Sequence, residues 1–275
     1  MTKPVEMEPP IEMELTDAQF HRYARHLILD EIGEEGQARL LAARVLVLGA
    51  GGLGSPLLLY LAAAGVGTLG IVDDDHVELS NLQRQILHST NRLGQPKTTS
   101  AVSALGNLDP AIRVEPHAER LTEANVDRLV GAYDLVADGS DNFATRYLLN
   151  DACHRLGRTL VSAALLRFDG QLSTFKSHLG RPHPCYRCLF RDPPPPDLIP
   201  RCEEAGILGA TAGVVGTLQA TEVLKELLGL GTSLSGTLLM YDALGTNFHK
   251  IRIPRDPHCP TCGKPTGEKG HGNHR

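Results

Sequence analysis

The stretch Arg44 to Asp75, RVLVLGAGGLGSPLLLYLAAAGVGTLGIVDDD, constrains this chain more than any other. Its apolar run Val45 to Leu48 has the length and β-branched content of a buried strand. Gly49, Gly51 and Gly54 follow in G-x-G-x-x-G spacing, with Gly52 inside the turn. A helix is expected from Ser55 to Ala64, with Pro56 in its first turn, where a missing N–H does no harm. A second apolar run, Leu69 to Val72, ends in Asp73, Asp74 and Asp75. Glycines let a backbone come close to a phosphate, and a helix N-terminus offers free N–H groups and a positive dipole end. Asp73 lies 19 residues past Gly54, where the ribose-binding acid of a dinucleotide-type site is expected. The pattern therefore reads as nucleotide binding rather than a purely structural turn, and it leaves the nucleotide open.

Charge and apolar runs narrow the setting. With 275 residues the chain is long enough for a sizeable core, and its net charge of −5 gives no sign of a general nucleic-acid or membrane surface. The acidic, Pro-rich start MTKPVEMEPPIEME is not a secretory signal. The longest apolar candidate, Pro56 to Val72, is broken by Gly65, Gly67 and Gly70, short of a membrane span. A cytoplasmic protein is expected, in which disulfides are unfavoured and the six cysteines need another role.

Residues 1–13 read as a mobile tail. Thr16 and Gln19 resemble a capping box opening a helix to about Leu29, which carries His21, Arg22, Arg25 and His26. On charge alone that cluster is a solvated face. Another helix is expected over Glu34 to Ala42. Beyond Asp75 come Asn81, Arg84, Arg92 and Lys97, then a helix from Pro96 to about Asn107. A strand (Ala111 to His117), a short helix (Glu123 to Val130) and a strand (Tyr133 to Ala137) lead to Asp138-Gly-Ser-Asp141-Asn142. Asp141 stands where it could cap the helix Phe143 to Leu156 or face a ligand at a strand's carboxyl end, and both readings are open.

Up to here the strand–helix alternation argues a parallel doubly wound sheet. The grammar then changes. Thr159 to Leu166 and Gly170 to Phe175 read as a hairpin turning around Asp169-Gly170. Asp192-Pro-Pro-Pro-Pro-Asp197 opens an aperiodic crossing loop, near residues 190–207, that holds Cys202. A helix with Val214, Leu218, Thr221, Leu224 and Leu228 at helical spacing follows, then strands Leu238 to Asp242 and Phe248 to Ile253. Cys185-Tyr-Arg-Cys188 and Cys259-Pro-Thr-Cys262 are two C-x-x-C pairs far apart in the chain. Together they supply the four sulfurs of a closed tetrahedral zinc site that ties distant segments together. Four unrelated thiols, or a redox pair, are the competing readings.

Taken in order, G-A-G-G-L-G with Asp73, S-N-L-Q-R-Q (Ser80 to Gln85), G-Q-P-K (Gly94 to Lys97), S-D-N (Ser140 to Asn142), C-Y-R-C, G-T-L-Q-A (Gly216 to Ala220) and C-P-x-C resemble the ThiF/MoeB/HesA family, over about Ala18 to Gly263. The resemblance implies an α/β, Rossmann-like doubly wound mixed sheet, parallel in its N-terminal half and antiparallel in its C-terminal half, with a structural zinc. It implies one adenylation domain over residues 14–263 and a polar tail over 264–275. The activity implied is ATP- and Mg²⁺-dependent adenylation of the C-terminal Gly-Gly carboxylate of a ubiquitin-like sulfur carrier, by a homodimer. Asp73 would hold the ribose, and Gly49, Gly51, Gly52 and Gly54 would line the phosphate turn. Asn81, Arg84 and Lys97 would contact the triphosphate, with Asp141 and its neighbour Asn142 at the magnesium and reacting phosphates. Arg25, second in R-x-x-R, would reach the phosphates of the neighbouring subunit. Cys202 opens C-x-E-A-G-x-x-G and would be a candidate for a covalent link to the carrier. Because the chain stops soon after the second C-x-x-C, a separate sulfur donor, a cysteine desulfurase or a rhodanese, is expected. Two alternatives stand beside this: an NAD- or FAD-dependent oxidoreductase, from the glycine turn alone, and a non-catalytic adaptor that only binds the carrier.

Overall fold

A computed structural model describes residues 14–193 and 206–263. The expected tails, and most of the crossing loop with Cys202, lie outside the described residues. One eight-stranded sheet organises the rest, in the order β3-β2-β1-β4-β5-β6-β7-β8. Strands β1 (Arg44–Leu48), β2 (Thr68–Val72), β3 (Arg113–His117), β4 (Leu135–Asp138) and β5 (Thr159–Leu166) pair in parallel. Strands β6 (Asp169–Phe175), β7 (Thr237–Asp242) and β8 (Asn247–Arg252) continue from β5 antiparallel. The mixed sheet, parallel first and antiparallel after, is the one the sequence implies.

Period-two alternation splits the core into two layers. Val45 and Val47 of β1 join one cluster with Leu57, Leu58 and Leu61 of α4 (Gly54–Ala63) and Val215 and Val223 of the long helix over Gly209–Leu228. Leu46 and Leu48 face the other way, onto Leu129, Tyr147, Leu149 and Tyr186. Each of those buried leucines contributes about 1.5–3 kcal/mol of transfer free energy. The remaining helices are α1 (Asp17–Arg22), α2 (Ala24–Leu27), α3 (Gly33–Ala42), α5 (Lys97–Leu108), α6 (Val126–Gly131), α7 (Phe143–Leu156) and α8 (Tyr186–Leu189), with Gly209–Leu228 as α9.

Three local expectations change. The single N-terminal helix is two helices, broken at Tyr23, whose φ/ψ of −99°/14° is not helical. The capping box at Thr16 is present, but Tyr23 leaves the helical path to reach inward. Its hydroxyl donates to Asp109 Oδ2 at 2.9 Å, and its ring lies so close to Gly65 that a Cβ there would meet it at 2.6 Å. Second, the hairpin turns at Arg167 and Phe168, not at Asp169-Gly170. Leu166 pairs with Asp169, and Arg167 takes the positive φ of 55°. Gly170 is needed for packing, since a Cβ there would lie 2.3 Å from Val215 of α9. Third, Asn142 rather than Asp141 caps α7, its Oδ1 accepting from the Thr145 N–H at 2.9 Å.

Candidate nucleotide site and four-cysteine cluster

At the carboxyl ends of the parallel strands lies a cavity of about 1020 Å³. Gly49, Gly51, Gly52, Asp73, Arg84, Lys97, Asp141 and Asn142 all line it. Gly54 does not. Its role is packing, because a Cβ there would sit 1.9 Å from the Gly49 carbonyl oxygen. The glycine turn is therefore folded tightly against the N-terminus of α4, where the Ser55 N–H donates to the Gly51 carbonyl at 2.9 Å.

Polar bonds hold the lining in place. Asp73 Oδ2 accepts from the Ala50 N–H at 2.8 Å and Oδ1 from the Asp75 N–H at 2.9 Å. Each carboxylate oxygen keeps a lone pair for a ribose hydroxyl. Lys97 opens α5, is 5 % exposed, and pairs with Asp75 Oδ2 at 2.8 Å. Arg84 donates to Asn81 Oδ1 at 2.9 Å and to the Ser80 carbonyl at 3.3 Å. Asn81 is thus a holder of Arg84 and does not itself line the cavity. Behind the turn, His88 Nε2 lies 2.8 Å from the Ala50 carbonyl, so Nε2 carries the proton, and Nδ1 accepts from Ser100 Oγ at 2.8 Å. Burial pulls its pKa below the usual histidine value.

Asp141 is exposed at the cavity mouth, with Asn142 Nδ2 3.4 Å from its Oδ1. Capping by Asn142 leaves the Asp141 carboxylate available to a cation. Arg25 is exposed on α2 and is absent from the cavity lining, so its own chain does not bring it to the nucleotide site. Its companion Arg22 is anchored to Asp109 at 3.4 Å and to the Leu108 carbonyl at 3.1 Å.

Residues that sequence reasoning passed over also line the cavity. Arg146 stands four residues past Asn142, one turn along α7. Helix side chains lean toward the N-terminus, so a helix starting at Phe143 puts Arg146 back over the strand end. It donates to the Ser140 carbonyl at 2.6 Å. Tyr186 opens α8, which Cys185 caps at its N-terminus, and Phe190 caps the other end. The metal reading of C-Y-R-C absorbed the tyrosine and hid its second role. Burial pushes the Tyr186 phenol up to about 12, with the Arg146 guanidinium acting against that.

The four cysteines converge as their spacing predicts. Cys185 and Cys259 sulfurs are 3.4 Å apart, Cys188 and Cys262 3.4 Å, and Cys185 and Cys188 4.0 Å. All four lie within 4.8 Å of one another, and Cys185, Cys259 and Cys262 are buried. This donor set fits one tetrahedral zinc with sulfur bonds of about 2.3 Å. The Asp256 N–H donates to Cys188 Sγ at 3.4 Å. Gly263 serves the knot by close approach: its N–H donates to the Cys259 carbonyl at 2.9 Å, and a Cβ would meet Cys259 and Pro257 backbone at 2.6 Å. Asp151 of α7 joins both loops, accepting from Arg187 at 2.8 Å and from Thr261 Oγ1 at 2.7 Å.

Residues 23–261 match the ThiF family. A sulfur carrier protein adenylyltransferase of Thermus thermophilus is 51% identical over 253 residues, covering 91% of this chain and 93% of the relative. A SAMP-activating enzyme E1 of Haloferax volcanii is 49% identical, covering 92% of each. The adenylyltransferase and sulfurtransferase MOCS3 of Bos taurus is 53% identical over 95% of this chain, which spans only 57% of that protein. Among solved structures, E. coli MccB superposes with a TM-score of 0.77 at 22% identity, over 92% of this chain and 75% of that one. That likeness shows the fold. Among the described residues no helix is long and apolar enough to cross a membrane.

Proposed function

The chain belongs to the ThiF family, and on that footing we propose that it joins the adenylyl group of ATP to the C-terminal Gly-Gly carboxylate of a small sulfur-carrier protein. Adenylation of sulfur carriers is the activity carried in the names of relatives about half identical along nearly the whole chain. The oxidoreductase and adaptor alternatives give way to it. The observation that carries the reading is the shape of the cavity. Its lining joins the glycine turn, Arg84 and Lys97 to Ala164 of β5, Met240 of β7 and Phe190. A triphosphate and a peptide tail can meet there.

The chemistry follows from charge. A carboxylate oxygen attacks the α-phosphorus, the bond to the β-phosphate breaks, and pyrophosphate leaves with its electron pair. The nucleophile is already ionised near neutral pH, so no protein base is required. Two anions must be brought together, and Arg84 and Lys97 lower that repulsion. A magnesium ion held with ATP at Asp141 would add charge neutralisation at the phosphates. Asp73 is assigned to the ribose, the glycines to the phosphate turn, and Asn81 and Asn142 to holding Arg84 and the α7 cap. A zinc at the four cysteines would be structural, since four sulfurs leave no open position.

Arg25 is assigned to the phosphates of a second copy in a homodimer. In support, it projects from helices that also expose Phe20 and Leu27's neighbours Ile28 and Leu29. A cytoplasmic setting and a separate sulfur donor, a cysteine desulfurase or a rhodanese, complete the reading. Cys202 is the candidate for a covalent link to the activated carrier, and a conjugate lost in Cys202→Ala would establish it. The function itself is tested by ATP–pyrophosphate exchange with Gly-Gly carriers from the same cell. Exchange that needs the carrier is expected, and exchange indifferent to it contradicts the reading.

A further inference from the structure

We propose that His88 is a positioning residue for the nucleotide: its imidazole holds the Ala50–Gly51 peptide so that the Gly51 N–H faces the phosphates of bound ATP. The proposal rests on the adenylation reading and gives a task to a side chain that stands outside the cavity lining. Three observations carry it. His88 is 7 % exposed, yet both ring nitrogens are engaged, Nε2 with the Ala50 carbonyl at 2.8 Å and Nδ1 with Ser100 Oγ at 2.8 Å. Gly51 lines the cavity, and its N–H has no hydrogen-bond partner among the described residues. The peptides on either side are fixed by other groups: the Ala50 N–H donates to Asp73 Oδ2 at 2.8 Å, and the Gly51 carbonyl accepts from the Ser55 N–H at 2.9 Å.

The direction of the free donor follows from the peptide plane. A trans peptide carries its C=O and its N–H on opposite sides. The Ala50 carbonyl is drawn back to His88, behind the glycine turn, so the Gly51 N–H points the other way, toward the cavity that Gly51 lines. Glycine makes this clamp necessary. Without a Cβ, residue 51 turns easily about φ, and the peptide between Ala50 and Gly51 can turn over to present its carbonyl instead. A backbone N–H attracts a phosphate and a carbonyl oxygen repels it, so one hydrogen bond behind the turn decides the sign of the dipole in front of it.

Ser100 sets the tautomer that the clamp requires. A carbonyl only accepts, so Nε2 carries the proton, and the Ser100 hydroxyl donates to Nδ1. In the other tautomer Nε2 would turn a lone pair on the Ala50 oxygen and push the peptide over. Burial holds the ring neutral by lowering its pKa; Lys97 and Arg92 act in the same direction, and the Ala50 carbonyl and Asp73 act against it. Ser100 is fully buried in α5, the helix that Lys97 opens. The helix that brings a lysine to the cavity therefore also fixes the glycine turn, through the imidazole.

The test measures, by calorimetry on the full-length enzyme, affinity for a non-hydrolysable ATP analogue with magnesium and for adenosine, which lacks the phosphates. His88→Asn supplies an amide near the Nδ1 place only and leaves the Ala50 carbonyl free. It should weaken the analogue about tenfold, the range of one hydrogen bond to a charged group. His88→Gln returns an N–H near the Nε2 place and should come back to within about threefold of wild type. Ser100→Ala keeps the ring but frees its tautomer, and should cost about threefold. Adenosine affinity should stay within about twofold of wild type in all three, a control that also reports on folding. In carrier-dependent exchange, KM for ATP should rise in His88→Asn while KM for the carrier holds. Equal losses for the analogue and adenosine, or no difference between His88→Asn and His88→Gln, would overturn the proposal. If all three variants match wild type and exchange still needs the carrier, the positioning role fails and the function stands. A wild type without affinity for the analogue would overturn the adenylation reading and the proposal with it.

Discussion

Strand β1 has four of its five residues buried, and β8 has none of six. Both belong to one sheet, yet they are held by different means. The parallel half is sandwiched between helices on two faces, so its central strands β1, β2 and β4 read as apolar runs and burial secures them. The antiparallel half ends in an exposed edge with Leu244, Phe248 and Ile251 in solvent. Cross-links replace burial there: the cysteine cluster, the Asp151 clamp, and Arg255, which donates to the Ser177 carbonyl at 2.9 Å and the His183 carbonyl at 2.8 Å. Burial in the first half leaves the strand ends free to carry charged groups for ATP. In the second half, Tyr186 stands between two of the clustered cysteines and lines the cavity, so the segment that joins the cluster also sets part of the cavity lining.

Two perturbations should separate the halves most sharply. Asp141→Ala should lower carrier-dependent exchange by about a thousandfold, the scale of losing a preorganised charged group. Its thermal melt should match wild type, because the side chain is exposed and caps nothing. Exchange at wild-type rate would remove Asp141 from the site. Cys259→Ser should release the metal, where metal analysis of the wild type should find one zinc per chain. Losing a structural metal should lower Tm by about 10 °C, given about 2–4 °C per kcal/mol for a chain of this size. Hydrogen exchange should rise first around Cys185–Phe190 and Arg255–Gly263, while β1 and β2 stay protected. Uniform loosening of both halves would dissolve the distinction drawn between them.

Smaller changes probe the parallel half itself. Gly54→Ala forces a Cβ against the Gly49 carbonyl and should cost about 3 kcal/mol in denaturant unfolding, as overpacking against backbone does. His88 provides the pH probe. Burial lowers its folded-state pKa from 6.5, so the unfolded chain binds the extra proton first. Its contribution is full above the unfolded value and is lost as pH falls below about 6.5, by roughly 1 kcal/mol per pH unit. His88→Asn should flatten that slope between pH 7 and 5 in urea titrations. The smallest effect is a gain: Gly106→Ala, in α5 with nothing within 4 Å of the new methyl, should stabilise by about 0.5–1 kcal/mol.

The two halves were also unequally legible in the sequence. Glycine spacing, apolar runs and the terminal acid gave β1, α4, β2 and Asp73 nearly at their observed bounds, because local pattern and tertiary burial agree there. Two C-x-x-C pairs pointed to the four-cysteine cluster, since the spacing within each pair is a local property. What escaped reading depends on distant partners. The break at Tyr23 follows from a hydroxyl drawn to Asp109, 86 residues away. The hairpin turn is displaced because Gly170 is required under Val215, so the glycine marks a close approach rather than a corner. Arg146 and Tyr186 carry no signal of their own type: one looks like a helix surface cation, the other like filler between two cysteines. Only the folded chain brings them to one wall.

ATP on the parallel half and a carrier tail on the antiparallel half are proposed to meet in one cavity. Intact-mass analysis of a Gly-Gly carrier incubated with enzyme and ATP tests it most directly. A carrier–AMP adduct with release of pyrophosphate is expected, lost when the Gly-Gly terminus is removed and lost in Asp141→Ala. Pyrophosphate release without any adduct, or an adduct indifferent to the carrier's terminus, would contradict it.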